Sequence, residues 1–275
     1  MSVLIKEYPP SPALMPYVEL FWEGHFNTDN AQLLPQKVLP NGYVEAIVHL
    51  SDLHCELPVD ASYQLSSDST LIGLFSQPYE VHFKGEVQAF GIRFKPEGLY
   101  PILGVPAAEA IDGFMDMEVL TGNDFKEYCN KLRAVSLPAE RIALTEAFLQ
   151  KRLEGSTPEL YYLNQAAEMI RRRKGLISIE ELAGKAYISP RQLEREFNQK
   201  IGVTPKRYMR LARLNEVNRL LRKGGQLSLT AIAHDSGYAD QAHFIRDFRH
   251  FTGEKPTVFI REREKFIVNP NMAAC

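Results

Sequence analysis

The chain has 275 residues, 45% of them hydrophobic and 24% charged, with a net charge of −2. That length leaves room for two domains with separate cores, and the composition is that of a folded chain rather than a disordered one. No apolar run approaches the roughly 18 residues of a membrane span, the N-terminus MSVLIKEYPPSPAL lacks a signal-length run, and the three scattered cysteines (Cys55, Cys129, Cys275) imply neither a disulfide framework nor a metal cluster, so a cytoplasmic protein is expected.

The near-neutral total conceals a split. Residues 171–265 carry 21 Lys+Arg against 11 Asp+Glu, a net of +10, and the remaining residues carry 11 against 23, a net of −12. A basic half joined to an acidic one points to a polyanionic partner for the basic half.

The first 115 or so residues read as strands. VEAIVHL (44–50), STLIGLF (69–75) and AFGIRFKP (89–96) are β-branched or aromatic runs bounded by Gly, Pro, Asn and Asp. Pro9, Pro10, Pro12, Pro16, Pro35 and Pro40 exclude long helices from the first forty residues. EGLYPIL (97–103) predicts a short helix. From Asp124 the period becomes helical, in DFKEYCNKLR (124–133) and PAERIALTEAFLQKRL (138–153), with Pro138 at a first helical position. These two helices are expected to pack on the β domain or to offer an apolar face to a second copy, and a homodimer is expected through this region.

EGSTP (154–158) reads as a linker, with Thr157 as N-cap for a helix running from Pro158 to about Lys174, its inner stripe Leu160, Leu163, Ala167 and Ile170. The expected fold is therefore α+β with two domains. A β-rich barrel- or sandwich-like domain with trailing helices covers 1–153, an all-α double helix-turn-helix domain covers 159–265, and a tail covers 266–275.

The second domain contains a repeat. Tyr187, Leu193, Arg195, Phe197, Gly202, Pro205 and Arg210 recur 51 residues later as Tyr238, Phe244, Arg246, Phe248, Gly253, Pro256 and Arg261. In the first copy, Ser178 with Glu181 fits a capping box, AYI makes a turn, and Ser189, Pro190 and Gln192 open a second helix over roughly 190–201. Two short helices joined by a tight turn form a helix-turn-helix, whose second helix enters the DNA major groove. At 100° per residue, Leu193, Phe197 and Ile201 face the core, while Arg191, Arg195 and Asn198 fall opposite, with Glu194 at the edge. Arg reads guanine, Asn reads adenine and Glu accepts from cytosine, so Arg191, Glu194 and Arg195 lead the base-reading candidates, with Gln192 and Asn198 beside them.

The second copy predicts a helix at 229–235 capped by Ser228, a turn through Gly237, and a helix at 241–251 capped by Asp240. Phe244, Phe248 and Phe251 share its buried face; Arg246 and Arg249 point away, with Gln241 and His243 near the start. Between the copies, Thr204, Pro205 and Gly224-Gly225 bound a helix of about 18 residues, roughly 27 Å, which suits two recognition helices set about one DNA turn apart. Ser189, Lys206, Arg207, Arg210, Arg213, Arg249 and Lys255 are expected at phosphates or in solvent.

These residues resemble the DNA-binding domain of AraC-type bacterial transcription regulators over about 165–263, including the spacing of Gly237, Tyr238, Phe244, Phe248, Gly253 and Pro256. The resemblance implies recognition helices in adjacent major grooves of double-stranded DNA. It also implies base contacts from Arg191, Glu194 and Arg195 in the first helix and from Gln241, Ala242, Ile245 and Arg246 in the second, and RNA polymerase as a further partner. Ala242 and Ile245 are apolar, which favours thymine-methyl or backbone contact in the second half-site. Hence two unlike half-sites are expected, with the first helix carrying more of the discrimination. IKEYPPSPALMPYVELFWEG, VLPNGYVEAIVHL and GIRFKPEGLYPILGVPAAE resemble a widespread, uncharacterised sensor-like domain, which implies a β-rich effector-binding and dimerisation module.

No catalytic motif is present: there is no G-x-S-x-G, P-loop or G-x-G-x-x-G, and no cofactor is expected. His49, His54, Cys55, Glu56 and His82 are the ligand-type residues, but HLSDLHCE lacks the H-x-H of a cupin-like metal site. Trp22 reads as a core aromatic or a pocket wall. The sequence leaves three functions: a ligand-responsive regulator, a regulator whose first domain only mediates protein contacts, and a metal-dependent enzyme domain fused to a DNA-binding module.

Overall fold

A computed structural model of the chain describes residues 2–28, 34–52, 54–60, 62–154, 161–222, 228–262 and 265–267. Its contacts divide it into two compact units, one of residues 1–36, 43–74 and 80–159, the other of residues 37–42, 75–79 and 160–275. The linker at 155–158 with Thr157 and Pro158, Leu160 of the helical stripe, Gly224-Gly225 and Cys275 lie outside the described residues.

The first unit is built on strands β1 (Ser2–Tyr8), β2 (Val18–Asn27), β3 (Leu34–Val38), β4 (Val44–His49), β5 (Glu56–Val59), β6 (Ser62–Leu65), β7 (Ser69–Ile72), β8 (Tyr79–Phe83), β9 (Glu86–Phe94) and β10 (Phe114–Asp116). Six of them form an antiparallel sheet in the order β1-β2-β9-β4-β7-β10, and β3, β8, β5 and β6 are consecutive neighbours in a second sheet. Within STLIGLF the strand runs to Ile72, and at Gly73 the Ala110 backbone comes so close that a Cβ would sit 1.3 Å from its carbonyl oxygen. The ten-residue β2 carries no proline and pairs with both β1 and β9, so the proline-rich N-terminus still supplies two strands of the larger sheet.

Alternation along the strands gives that sheet two different faces. Phe21, Val44, Ala46, Val48, Phe90, Ile92 and Phe94 lie on one face and are fully buried. The Val, Ile and Phe side chains among them each contribute about 1.5–3 kcal/mol by leaving water. Short helices follow, α1 (Pro96–Leu103) and α2 (Met117–Thr121), then α3 (Asn123–Ala134) and α4 (Pro138–Glu154). Arg141 of α4 pairs with Glu23 on that apolar face at 2.9 Å, and Phe125, Tyr128, Cys129 and Leu132 of α3 are buried. The inner faces of both helices are thus consumed within their own unit, with the Tyr128 hydroxyl and Thr145 Oγ1 2.8 Å apart between them.

The second unit begins with α5 (Tyr161–Arg172), whose Leu163, Ala167 and Ile170 are fully buried as the 3.6-residue period requires. Gly175 closes it at φ 73°, its N–H donating to the Ile170 carbonyl at 2.8 Å. Then come α6 (Ile179–Lys185), α7 (Pro190–Glu196), α8 (Pro205–Arg222), α9 (Leu229–Asp235), α10 (Gln241–Thr252) and α11 (Pro256–Arg261). Leu182, Leu193, Phe197, Ile201, Leu211, Leu214 and Val217 fill the core with Phe244, Phe248 and Phe251.

Candidate nucleic-acid interface

The first helix-turn-helix is set by its caps. Ser178 Oγ accepts from the Glu181 N–H at 3.0 Å and opens α6. The Glu181 carboxylate pairs with Lys185 at 3.0 Å, one turn on, so the capping box is made from the serine side. Ser189 Oγ accepts from the Gln192 N–H at 3.2 Å, and Pro190 takes the first position of α7, where no N–H is needed.

The expected single helix at 190–201 is interrupted. After Glu196 the chain winds as a π-turn over Phe197–Ile201, and the N–H of Gly202, at φ 87°, returns to the Phe197 carbonyl at 2.9 Å. Phe197 and Ile201 are both fully buried in the core. Arg191, Glu194, Arg195 and Asn198 are exposed on the opposite side, and Gln192 is half-buried beside them. Arg195 Nη2 donates to Glu196 at 3.0 Å, and Asn198 Nδ2 donates to the Glu194 carbonyl at 3.0 Å.

The second helix-turn-helix follows the same plan. Ser228 Oγ accepts from Ala231 N–H at 3.1 Å, and Asp240 Oδ1 accepts from His243 N–H at 2.6 Å. α10 is uninterrupted through Thr252 and ends at Gly253, φ 74°. Gln241, Ala242, Arg246 and Arg249 are exposed, while Ile245 and His243 are half-buried. The His243 ring stands edge-on to Tyr238, 5.3 Å between centroids, and Gln241 Oε1 accepts from Thr230 at 3.2 Å.

The repeat is not uniform through the turns. Ile188 N–H bonds to the Ala183 carbonyl, and Tyr238 N–H to the Ala233 carbonyl, an offset of fifty. Tyr187 therefore matches Gly237, both in left-handed conformation (φ 55° and 71°), and one added residue in the second turn restores the offset of 51 at the caps. The sequence pairing of Tyr187 with Tyr238 is corrected accordingly: Tyr187 is 95% exposed and Tyr238 is 6% exposed.

On α8, Thr204 Oγ1 accepts from Arg207 N–H at 3.2 Å, Lys206 is exposed and Arg207 half-buried. Arg210 and Arg213 are half-buried and also engaged within the unit. Arg210 Nε donates to Asp247 Oδ1 at 2.7 Å with its guanidinium 4.9 Å from the Phe251 ring centroid, and Arg213 lies 5.9 Å from the Tyr238 ring centroid. The cause is Asp247, an acidic residue turned inward on α10, which also accepts from the Tyr238 hydroxyl at 3.1 Å. Burial, and then the Asp247 charge, hold the Tyr238 phenol well above its ordinary range. Sequence reasoning missed Asp247. The signal was there: it lies at the i+3 position between Phe244 and Phe248 on the buried stripe, where a carboxylate demands a partner.

The ligand-type residues of the first unit form a small buried group. His49 Nε2 lies 3.3 Å from Ser66 Oγ and 3.7 Å from Cys55 Sγ, with the His54 ring stacked 4.3 Å away. Burial first, and then the neighbouring His54, lower the His49 pKa to about 4. Glu56 pairs with His82 at 3.7 Å. Among the described residues, no three His, Cys, Asp or Glu side chains converge in a way that could hold a metal, and no helix is long and apolar enough to cross a membrane.

The two capped units joined by α8 are a pair of helix-turn-helix motifs, and residues 182–262 match the family described as "Helix-turn-helix domain". Residues 6–116 match a family described only as a domain of unknown function, DUF6597. The HTH-type transcriptional activator RhaS of Escherichia coli is 31% identical over 126 residues, 46% of this chain and 44% of RhaS. The XylDLEGF operon transcriptional activator of Pseudomonas putida is 35% identical over 91 residues, 32% of this chain and 28% of that protein. The chain thus spans less than half the length of these relatives. ToxT of Vibrio cholerae O395, solved bound to (E)-4-(8-methylnaphthalen-1-yl)but-3-enoic acid, superposes with a TM-score of 0.50 at 12% identity over 95% of this chain and 99% of ToxT, and so shares its two-domain fold.

Proposed function

We propose that the protein is a sequence-specific DNA-binding transcription regulator. The observation that carries this reading is the pair of capped helices, α7 and α10, that each bury an apolar stripe and expose Arg195 or Arg246 at matching positions of the repeat. Arg191, Gln192, Glu194, Arg195 and Asn198 would read one half-site, and Gln241, Ala242, His243, Ile245 and Arg246 the other. Ser189, Lys206, Arg207, Arg249 and Lys255 would hold the phosphates, while Arg210 orients α10 through Asp247. The first unit would bind a small effector, and the working form would be a cytoplasmic homodimer acting with RNA polymerase. The similarity to named transcriptional activators supports a regulatory rather than an enzymatic role.

The test is a salt-dependent gel shift on a selected DNA library with full-length protein. Enrichment of a site about two helical turns long, weakened by Arg195→Ala with Arg246→Ala, is the expected result. No enriched site, or unchanged binding by the double variant, refutes the reading. Analytical ultracentrifugation of the same protein tests the homodimer.

A further inference from the structure

The second face of the larger sheet buries charge, whereas on the first face Lys6, Glu23, His25 and Glu86 are half-buried or exposed. Strand register sets Glu7 opposite Trp22, Trp22 opposite Gly91, and Glu45 opposite Arg93, all on this face. A Cβ on Gly91 would lie 2.0 Å from the Trp22 indole, so the ring lies directly across β9 at that point. Arg93 is only 2% exposed. Its Nε donates to Glu45 Oε1 at 3.0 Å, its Nη1 lies 3.8 Å from Glu7 Oε1, and its Cζ lies 5.9 Å from the Tyr43 ring centroid. Trp22 Nε1–H donates to the second Glu45 oxygen at 2.9 Å. Nη2 of Arg93 is buried with no acceptor among the described residues.

A buried donor left without an acceptor is costly, and buried polar atoms in folded proteins nearly always have a partner. On this face Tyr43, Glu45 and Ile47 are half-buried and so remain in contact with solvent. We propose that Arg93 Nη2 is the recognition donor of a small-molecule site formed with Glu45, Glu7, Trp22 and Tyr43, and that its ligand is an uncharged molecule with a hydroxyl or carbonyl oxygen beside a flat apolar face. This inference rests on the effector-responsive part of the proposed function and names the chemistry of that effector.

Charge decides the class. Two carboxylates face one guanidinium, so an anionic ligand would bring like charge into a poorly solvated place where repulsion is far stronger than in water. An ammonium would be drawn to the carboxylates but supplies no acceptor to Nη2. A hydroxyl accepts from Nη2 and donates to a carboxylate at once, and a carbonyl or amide oxygen accepts as well. Trp22 and Tyr43 present aromatic surface for a flat ring or a sugar face.

Trp22 is the one tryptophan of the chain, so its fluorescence in the full-length protein reads this site directly. The probes are methyl β-D-glucopyranoside, benzamide, benzoate and benzylamine, titrated into the millimolar range expected of fragments. A saturable change with one or both uncharged probes is expected, at least about tenfold weaker for benzoate and benzylamine and abolished in Arg93→Gln. Tyr43→Leu, which leaves the ion pairs in place, should weaken binding at least about threefold, and it decides the matter if Arg93→Gln does not fold. Silence of both uncharged probes, equal or tighter binding of a charged one, or saturation that survives in folded Arg93→Gln or is unchanged in Tyr43→Leu overturns the site. A gel shift on the same preparation separates the two ideas: retained sequence-specific DNA binding with a silent Trp22 rejects the ligand site alone, whereas loss of DNA binding rejects the regulator.

Discussion

Arg210 on α8 donates through Nε to Asp247 on α10 at 2.7 Å, and this contact ties the second recognition helix to the rod that connects the two units. Asp247 is 5% exposed and also accepts from Tyr238, so its carboxylate is shared by the connecting helix, the turn and the recognition helix. Removing Asp247 leaves Arg210, whose side chain is 38% exposed and can turn to water, so the cost is that of the lost charged hydrogen bonds, about 1.5–3 kcal/mol. Asp247→Ala should lower stability by that amount in urea denaturation and weaken DNA binding without touching DNA. Tyr238→Phe removes one hydrogen bond and should cost about 1 kcal/mol.

Tyr187 and Gly237 occupy equivalent turn positions at φ 55° and 71°, but only glycine is relaxed there. Tyr187→Gly should raise the stability of the protein by up to about 1 kcal/mol, because it relieves a left-handed non-glycine residue whose side chain is almost wholly exposed. Gly237→Ala should lower it, since the new Cβ would also lie 2.1 Å from Leu176 Cδ2. Calorimetry on both variants checks the opposite signs.

Gly175 is restricted twice. Its φ is 73°, and a Cβ would stand 2.1 Å from the Met209 carbonyl oxygen on α8. Backbone cannot swing aside as a side chain can, so Gly175→Ala should cost about 2–3 kcal/mol by prising α5 from α8. A fall of the melting temperature by several degrees is expected.

The pH dependence follows from His49. Its pKa falls from the ordinary 6.5 to about 4 in the folded chain, so between those values the unfolded chain binds a proton that the folded one refuses. Stability is therefore full above pH 6.5 and lost as pH drops towards 4, by about 3 kcal/mol in all. Denaturation curves between pH 7 and 4.5 should show this slope, and His49→Gln should flatten it. An unchanged slope in the variant would remove His49 as the cause.

Base reading and phosphate binding separate by salt. Lys206→Ala should weaken binding evenly across DNA sequences and reduce the salt slope by about 1. Arg191→Ala should cost about 1–3 kcal/mol and relax the preference at one base pair. Ile245→Ala should have the smaller effect on discrimination, consistent with unlike half-sites. Binding to a panel of single-substituted sites distinguishes the three.

Much of the helical unit was legible because its signals are local. Serine, aspartate and proline at helix starts and the spacing of Leu193, Phe197, Phe244 and Phe248 are each satisfied within one turn of chain, and the structure carries them as read. The β unit was legible only in part. The strands at 44–50 and 89–96 have strong side-chain signals, whereas β5, β6 and β8 are four or five residues long and owe their conformation to neighbours across the sheet.

Length, period and caps in the sequence determined two domains, a basic helical half and the residues on its two exposed helix faces, because these depend on a few neighbouring residues. Tertiary structure alone decided that Asp247 captures Arg210, that Tyr187 aligns with Gly237 rather than Tyr238, that α7 widens into a π-turn, and that Arg93 meets Glu45, Glu7 and Trp22 on one sheet face. Those partners lie up to 86 residues apart in the chain, as Glu7 and Arg93 do. Only strand register and helix packing bring such groups within hydrogen-bonding distance, where burial makes their pairing energetically decisive.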